Sequence, residues 1–264
     1  MAMMGVALGA HLVEGQTAYY GPVMAALCAF LVCAAGNIVN DLVDTEIDRI
    51  NKPGRIMARG ALSRRFALVA AVILNMVAVA VALTVGWEVT AVGLLAIGLL
   101  TAYNLRLKQI PLLGNVVIAL LGAMTFLTGG LAVDPAGSFR LPGPLIPAVF
   151  AFLFHLVREI IKDVEDIEGD RELGVITLPQ LIGVRKSLVL ALVLFLVLAA
   201  ATVAPILAGW YRGWYSVIAI FTIDLPLTLL LLLMCLSPGG RMLRIGSTAL
   251  KAGMVMGVAA LAAA

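Results

Sequence analysis

Nine apolar segments constrain this chain more than any other feature. They lie near residues 1–13, 19–39, 66–86, 88–105, 112–131, 141–161, 187–209, 213–235 and 246–264. Most approach the ~20 residues that a helix needs to cross a bilayer. Lipid offers the backbone no hydrogen bonds, so helix is the conformation open to such segments. Of the 264 residues, 62% are hydrophobic and 12% charged. That charge content is about half the ~25% usual for soluble domains. The expected fold class is an all-α polytopic membrane protein, a nine-helix transmembrane bundle forming one domain over 1–264. The first segment is short and is expected to begin further upstream. Its stretch MAMMGVALGAHLVEG has no basic n-region and no clear cleavage site, and is not read as a signal peptide.

The basic residues assign an orientation. Sixteen of the 18 Lys and Arg fall at the junctions of segments two and three, four and five, six and seven, or eight and nine, counting Arg158 and Lys251 just inside segments six and nine. Arg140 and Arg212 fall in other loops. The positive-inside rule makes the basic loops cytoplasmic, with the N-terminus inside and the C-terminus outside. A net charge of +3 without basic runs alternating with aromatics does not suggest a nucleic-acid binder. Cys28, Cys33 and Cys235 lie in apolar segments without CxxC spacing and read as small core residues. His11 and His155 are isolated and cannot build a His-rich metal site.

Eleven of the 15 acids crowd into residues 40–49 and 159–172, on the side assigned as cytoplasmic. NDLVDTEIDR runs from Asn40 to Arg49, and DVEDIEGDR from Asp163 to Arg171. Both fit D-x-x-D-x-E-x-D-R, 122 positions apart. Four segments separate equivalent points, an even number, so the repeat is parallel rather than inverted. On a helix, Asp41, Asp44 and Asp48 share an arc of about 60°, which Asn40 widens to about 100°. Asp163, Asp166 and Asp170 repeat that spacing, while Glu46 and Glu168 point elsewhere.

Three clustered carboxylates repel one another unless protonated or neutralised, so each stripe is expected to attract a cation. The donors are all oxygen, which favours a hard metal: Mg²⁺, Mn²⁺ or Ca²⁺. Mg²⁺ usually takes one or two carboxylates and completes its octahedron with water and phosphate oxygens. Arg49, Lys52, Arg55, Arg59 and Lys162 can hold phosphate oxygens that a metal does not reach. A self-paired, solvated charge run leaves the duplicated three-Asp spacing unexplained.

Metal, phosphate and an apolar bundle together suggest a lipid diphosphate substrate. The direct chemistry is ionisation of an allylic diphosphate and capture of the cation by an acceptor, with water excluded. A divalent-cation transporter would instead place its carboxylates near the bilayer midplane. Here both clusters sit at one face, and only Asp224, mid-span in FTIDLPL, continues a route. Asp224 reads equally as a functional acid or as one bonded to a neighbouring helix. Asn75, Asn104 and Asn115 glue helices or line a cavity. The glycines of LTGG, 127–130, allow close helix approach.

At these residues the chain resembles the UbiA superfamily of intramembrane prenyltransferases. That superfamily's first motif, N-D-x-x-D-x-x-x-D, is met by Asn40, Asp41, Asp44 and Asp48. Its second, D-x-x-D-x-x-x-D, is met by Asp163, Asp166 and Asp170. A Tyr followed five residues later by Lys is met by Tyr103 and Lys108 in YNLRLK. NDLVDTEIDRINKPGR and REIIKDVEDIEGDRELGVITLP are similar to the archaeal digeranylgeranylglyceryl phosphate synthase branch. Ile56 departs from it, standing where a proline is common.

The resemblance implies a nine-helix bundle and Mg²⁺ as cofactor. It implies transfer of a geranylgeranyl group from geranylgeranyl diphosphate to geranylgeranylglyceryl phosphate in ether-lipid synthesis. The six aspartates would be the catalytic and metal-binding set. Asn40, Arg55, Tyr103, Lys108 and Lys162 would bind substrate, and Arg158 would contact an acceptor phosphate. The implied partners are an isoprenyl diphosphate, a lipid acceptor and the bilayer, with the site facing the cytoplasm. The other enzyme reading is an aromatic prenyltransferase of the same superfamily acting on a quinone precursor.

Overall fold

The structure is a computed structural model describing residues 1–13, 19–51, 53–172 and 174–264, with the backbone alone at Ile50 and Asn51. Lys52 lies outside the described residues. All regular structure among the described residues is helical. In chain order the helices are α1 (Ala2–His11), α2 (Tyr20–Val43), α3 (Thr45–Asn51), α4 (Arg64–Leu83), α5 (Trp87–Leu105), α6 (Leu113–Leu131) and α7 (Leu145–Glu165). There follow α8 (Ile167–Glu172), α9 (Leu178–Ile182), α10 (Val184–Leu207), α11 (Trp214–Val217), α12 (Leu225–Leu236) and α13 (Gly240–Ala262). A π-helical segment, Ile218–Asp224, carries α11 into α12, making one span of 23 residues.

Among the described residues, seven helices are long and apolar enough to cross a membrane: α2, α4, α5, α6, α10, the α11–α12 span and α13. The chain is a multi-pass membrane protein. Two of the nine expected spans differ from these seven. The first is a ten-residue helix, α1, only about 15 Å long. The sixth expected span falls on α7, which has 21 residues but carries Arg158, Glu159 and Lys162 near its C-terminal end.

The chain forms two compact units. The first comprises Met1–Lys108 and Met124–Arg140. In it α2 packs against α1, α4 and α5. Its core is built from small side chains, including Ala25, Cys28 and Val32 of α2 with Ala78 and Ala82 of α4. Small residues let helix backbones approach closely, which is how helices associate in lipid. Gly9 and Gly129 carry this furthest. A Cβ on Gly9 would overlap the Phe126 carbonyl, and one on Gly129 the Val6 carbonyl. The LTGG glycine therefore does the work expected of it. Cys33, expected in the core, is exposed on α2.

The second unit comprises Gln109–Ala123 and Leu141–Ala264. Here α7 is the hub, packed against α9, α10 and α13. Its Val157, Ile160, Ile161 and Val164 form a core with Leu188, Ala191 and Phe195 of α10. Asp224 is buried and accepts a 2.7 Å hydrogen bond from the Thr202 hydroxyl of α10, the neighbouring-helix role. Large apolar side chains such as Leu68, Val72, Ile73 and Met76 of α4 are exposed. A patch of that extent marks contact with something apolar, here lipid.

Candidate active site

The two acidic motifs share one backbone device. α2 ends at Val43 and α3 begins at Thr45, leaving Asp44 at the junction with φ −86° and ψ 7°. α7 ends at Glu165 and α8 begins at Ile167, leaving Asp166 at the junction with φ −92° and ψ 4°. The middle aspartate of each motif thus occupies the same bend. The four-residue hydrogen-bond ladder nevertheless runs on. Asp44 N–H donates to Asn40 O at 2.9 Å and Asp48 N–H to Asp44 O at 2.7 Å. Asp166 N–H donates to Lys162 O and Asp170 N–H to Asp166 O, both at 2.9 Å. The sequence repeat is therefore a repeat of local structure. The continuous helix assumed from spacing is bent at its central carboxylate.

In the first motif two bases contact three carboxylates. Arg55 Nη1 donates to Asp41 Oδ1 at 2.8 Å and to Asp48 Oδ2 at 2.6 Å. Lys108 Nζ pairs with Asp44 Oδ1. The chain after the motif folds back to make the Arg55 contact possible. Met57 is buried beside Leu42 and Ala67. Arg59 N–H donates to the Arg55 carbonyl at 3.0 Å, closing the turn, and Arg64 donates to the Leu42 carbonyl at 3.3 Å. A short 3₁₀ turn, Leu107–Gln109, brings Lys108 back onto Asp44. Asp48 is 4% exposed, so its charge depends on Arg55. Burial alone would lower the Arg55 guanidinium. The Asp48 hydrogen bond and the charges of Asp41, Asp48 and Asp44 outweigh it and raise the guanidinium above its ordinary value.

The second motif is held differently. The Asn115 side-chain amide of α6 donates to Asp163 Oδ2 at 2.8 Å. Asp166 is exposed and Asp170 half-buried, and neither carboxylate has a hydrogen-bond or ion-pair partner among the described residues. Lys162 is exposed. Burial, and then the neighbouring Asp166 charge, push the Asp170 carboxyl up, against the opposing pull of Lys162. So, among the described residues, the first motif's carboxylates are ion-paired and those of the second are not.

The remaining expected residues fall as follows. Asn40 is half-buried on the last turn of α2, and Tyr103 half-buried near the end of α5. Arg158 is ion-paired with its neighbour Glu159 on α7. Arg49 pairs with Glu46 on the exposed side of α3, and Arg59 is exposed. Asn104 donates to the Gly36 carbonyl at 3.2 Å and so joins α5 to α2. Asn75, Thr101 and Asn104 line a notch with Val32 and Gly36. Sequence reasoning gave Asn115 no specific partner and passed over Glu159. The available signal for Glu159 was an acid inside an apolar run.

Residues 2–242 match the UbiA prenyltransferase family. The chain belongs to that family. Digeranylgeranylglyceryl phosphate synthase of Pyrococcus horikoshii is 43% identical over 180 residues, 66% of this chain and 63% of that protein. The synthase of Methanosphaera stadtmanae is 38% identical over 191 residues, 72% of this chain and 68% of that protein. The chain thus spans less than two thirds of the Pyrococcus horikoshii relative, and 58% of the Pyrococcus abyssi synthase. A solved digeranylgeranylglyceryl phosphate synthase superposes with TM-score 0.82 at 27% identity, over 98% of this chain and 90% of that one. A UbiA homologue of Archaeoglobus fulgidus, solved with DMAPP and Mg²⁺, shares the fold at TM-score 0.69 and 19% identity, over 100% of this chain and 94% of that one.

Asp166 and Asp170, carboxylates without an ion-pair partner among the described residues, offer oxygen donors of the kind a hard metal takes. Among the described residues no three His, Cys, Asp or Glu converge as a ready-made cage.

Proposed function

We propose that this UbiA-family protein transfers a geranylgeranyl group from geranylgeranyl diphosphate to the sn-2 hydroxyl of geranylgeranylglyceryl phosphate, with Mg²⁺ as cofactor. The observation that carries the reading is the asymmetry of the repeated motif. Asp41, Asp44 and Asp48 each contact Arg55 or Lys108, whereas Asp166 and Asp170 have no ion-pair partner among the described residues. The bases held by the first motif would reach phosphate oxygens, and the unpaired carboxylates of the second would hold metal. Bound Mg²⁺ would neutralise the leaving diphosphate.

The chain's own residues do the rest. Arg55 and Lys108 each engage the motif through one nitrogen and keep N–H donors for phosphate oxygens. Asn40, Tyr103 and Lys162 add an amide, a hydroxyl and an ammonium. The bond from the allylic carbon to the diphosphate oxygen breaks, and its electron pair leaves on the diphosphate. The acceptor hydroxyl oxygen forms the new bond and passes its proton to the departing diphosphate. Apolar helices hold the isoprenoid tail and keep water from the allylic cation. The chain is a single prenyltransferase domain of nine spans, its site opening to the cytoplasm. The identities with archaeal synthases favour the phosphorylated glyceryl acceptor over a quinone precursor.

The test is an acceptor screen with purified protein, Mg²⁺ and labelled geranylgeranyl diphosphate. Label is expected in the diether product made from geranylgeranylglyceryl phosphate. Label passing instead to an aromatic quinone precursor would assign the protein to the aromatic branch.

A further inference from the structure

Adjacent residues on a helix point about 100° apart and do not face each other. Arg158 and Glu159 of α7 are nevertheless ion-paired, Arg158 Nη1 to Glu159 Oε1. With the Asp163 direction as zero, Glu159 lies about 40° away and Arg158 about 140° away. The pair therefore draws the guanidinium around the helix toward the Asp163 side. Glu159 is the deep member, 8% exposed, and Arg158 is half-buried. Each is the other's one hydrogen-bond partner among the described residues. A guanidinium carries five N–H donors in a planar fork, so most of Arg158's remain for another acceptor. Charges in a membrane helix are costly and mark function when no neighbouring helix uses them.

We propose that Glu159 is the positioning residue of an anion subsite at Arg158 that takes the phosphate of the lipid acceptor. This rests on the reading of Arg158 as the acceptor-phosphate contact. Glu159 fixes one edge of the guanidinium and leaves another for two phosphate oxygens, the bidentate arrangement that arginine favours. The ion pair also keeps the subsite neutral before the phosphate arrives. Arg158 lies about 7.5 Å along the axis from Asp163, on the mid-helix side. An acceptor phosphate there is distinct from a diphosphate at the aspartates, so both can be held at once. A salt bridge serving only to fix α7 would reach a second helix, and this one stays on its own.

The test is steady-state kinetics with geranylgeranyl diphosphate and two acceptors: geranylgeranylglyceryl phosphate and the same lipid without its phosphate. Glu159→Gln, Glu159→Asp and Arg158→Met are compared with the wild type, and Arg158→Lys replaces Arg158→Met where the latter does not fold. Glu159→Gln is isosteric. It and Arg158→Met are expected to raise the KM for the phosphorylated acceptor about ten-fold, the weight of one charged hydrogen bond. The preference in kcat/KM for the phosphorylated acceptor falls with it, while the KM for the diphosphate moves far less. Glu159→Asp keeps the charge and recovers part of the loss. A raised acceptor KM in Arg158→Met but not in Glu159→Gln overturns the positioning role and leaves the subsite. An unshifted acceptor KM in both overturns the subsite. A wild type that transfers nothing to the phosphorylated acceptor overturns the proposed function, and this inference with it.

Discussion

Asn115 donates a 2.8 Å hydrogen bond to Asp163, fixing the first carboxylate of the second motif from a different helix. In the first motif that position is filled by a cation, Arg55 on Asp41. An amide orients a carboxylate without cancelling its charge, so Asp163 stays available to a metal. Asn115→Leu keeps the bulk and deletes the donor. Losing one such bond to a charged group is worth about 1.5–3 kcal/mol, so transfer is expected to fall about ten-fold or more at saturating Mg²⁺. A wild-type rate in that variant would mean that Asp163 is oriented by something else.

Arg55 has a structural duty as well as a proposed catalytic one. It lies 2.6 Å from Asp48, a carboxylate that is 4% exposed. Arg55→Ala strands that charge and is expected to cost about 1–3 kcal/mol of stability. Adding Asp48→Asn should recover part of it, because the stranded charge is gone. Thermal unfolding in detergent reads both, and a double variant no more stable than Arg55→Ala would remove this account of the pair.

Much of this was legible in the residues. Apolar length located the helices, because lipid leaves one backbone solution. The Asp spacing located both motifs, and two of the bases expected to bind phosphate, Arg55 and Lys108, pair with the first of them. The bend at Asp44 and Asp166 was not legible, because the four-residue hydrogen-bond ladder passes through it and the spacing looks continuous. Nor was the assignment of Arg55 rather than Arg49 to the aspartates. It depends on Met57 burying beside Leu42 and turning the chain back, a tertiary contact with no periodic signature. Glu159 escaped because its ion pair joins sequence neighbours, a geometry that helical spacing disfavours.

Orientation has its own test. In a background without Cys28, Cys33 and Cys235, single cysteines at positions 59 and 185 should react with an impermeant thiol reagent only from the cytoplasmic side. One at position 212 should react only from outside. Positions 59 and 185 labelling from opposite sides would overturn the assignment of the basic loops to the cytoplasm.

If the two motifs grip one diphosphate, they act as a unit, and units lose activity non-additively. Asp48→Asn and Asp170→Asn should each cripple transfer. The double variant should be little worse than the poorer single one. Multiplying losses would instead describe two independent sites.

The most direct measurement is prenyl transfer by the purified protein with and without divalent metal. Labelled geranylgeranyl diphosphate and geranylgeranylglyceryl phosphate are supplied, and both the ether product and released diphosphate are counted. The account predicts equal amounts of the two with Mg²⁺, neither after chelation, and recovery when Mg²⁺ is restored. Asp166→Ala should stay folded and lose most of the product. Undiminished turnover in chelator, or full activity in Asp166→Ala, would contradict a metal-held diphosphate as the basis of this protein's chemistry.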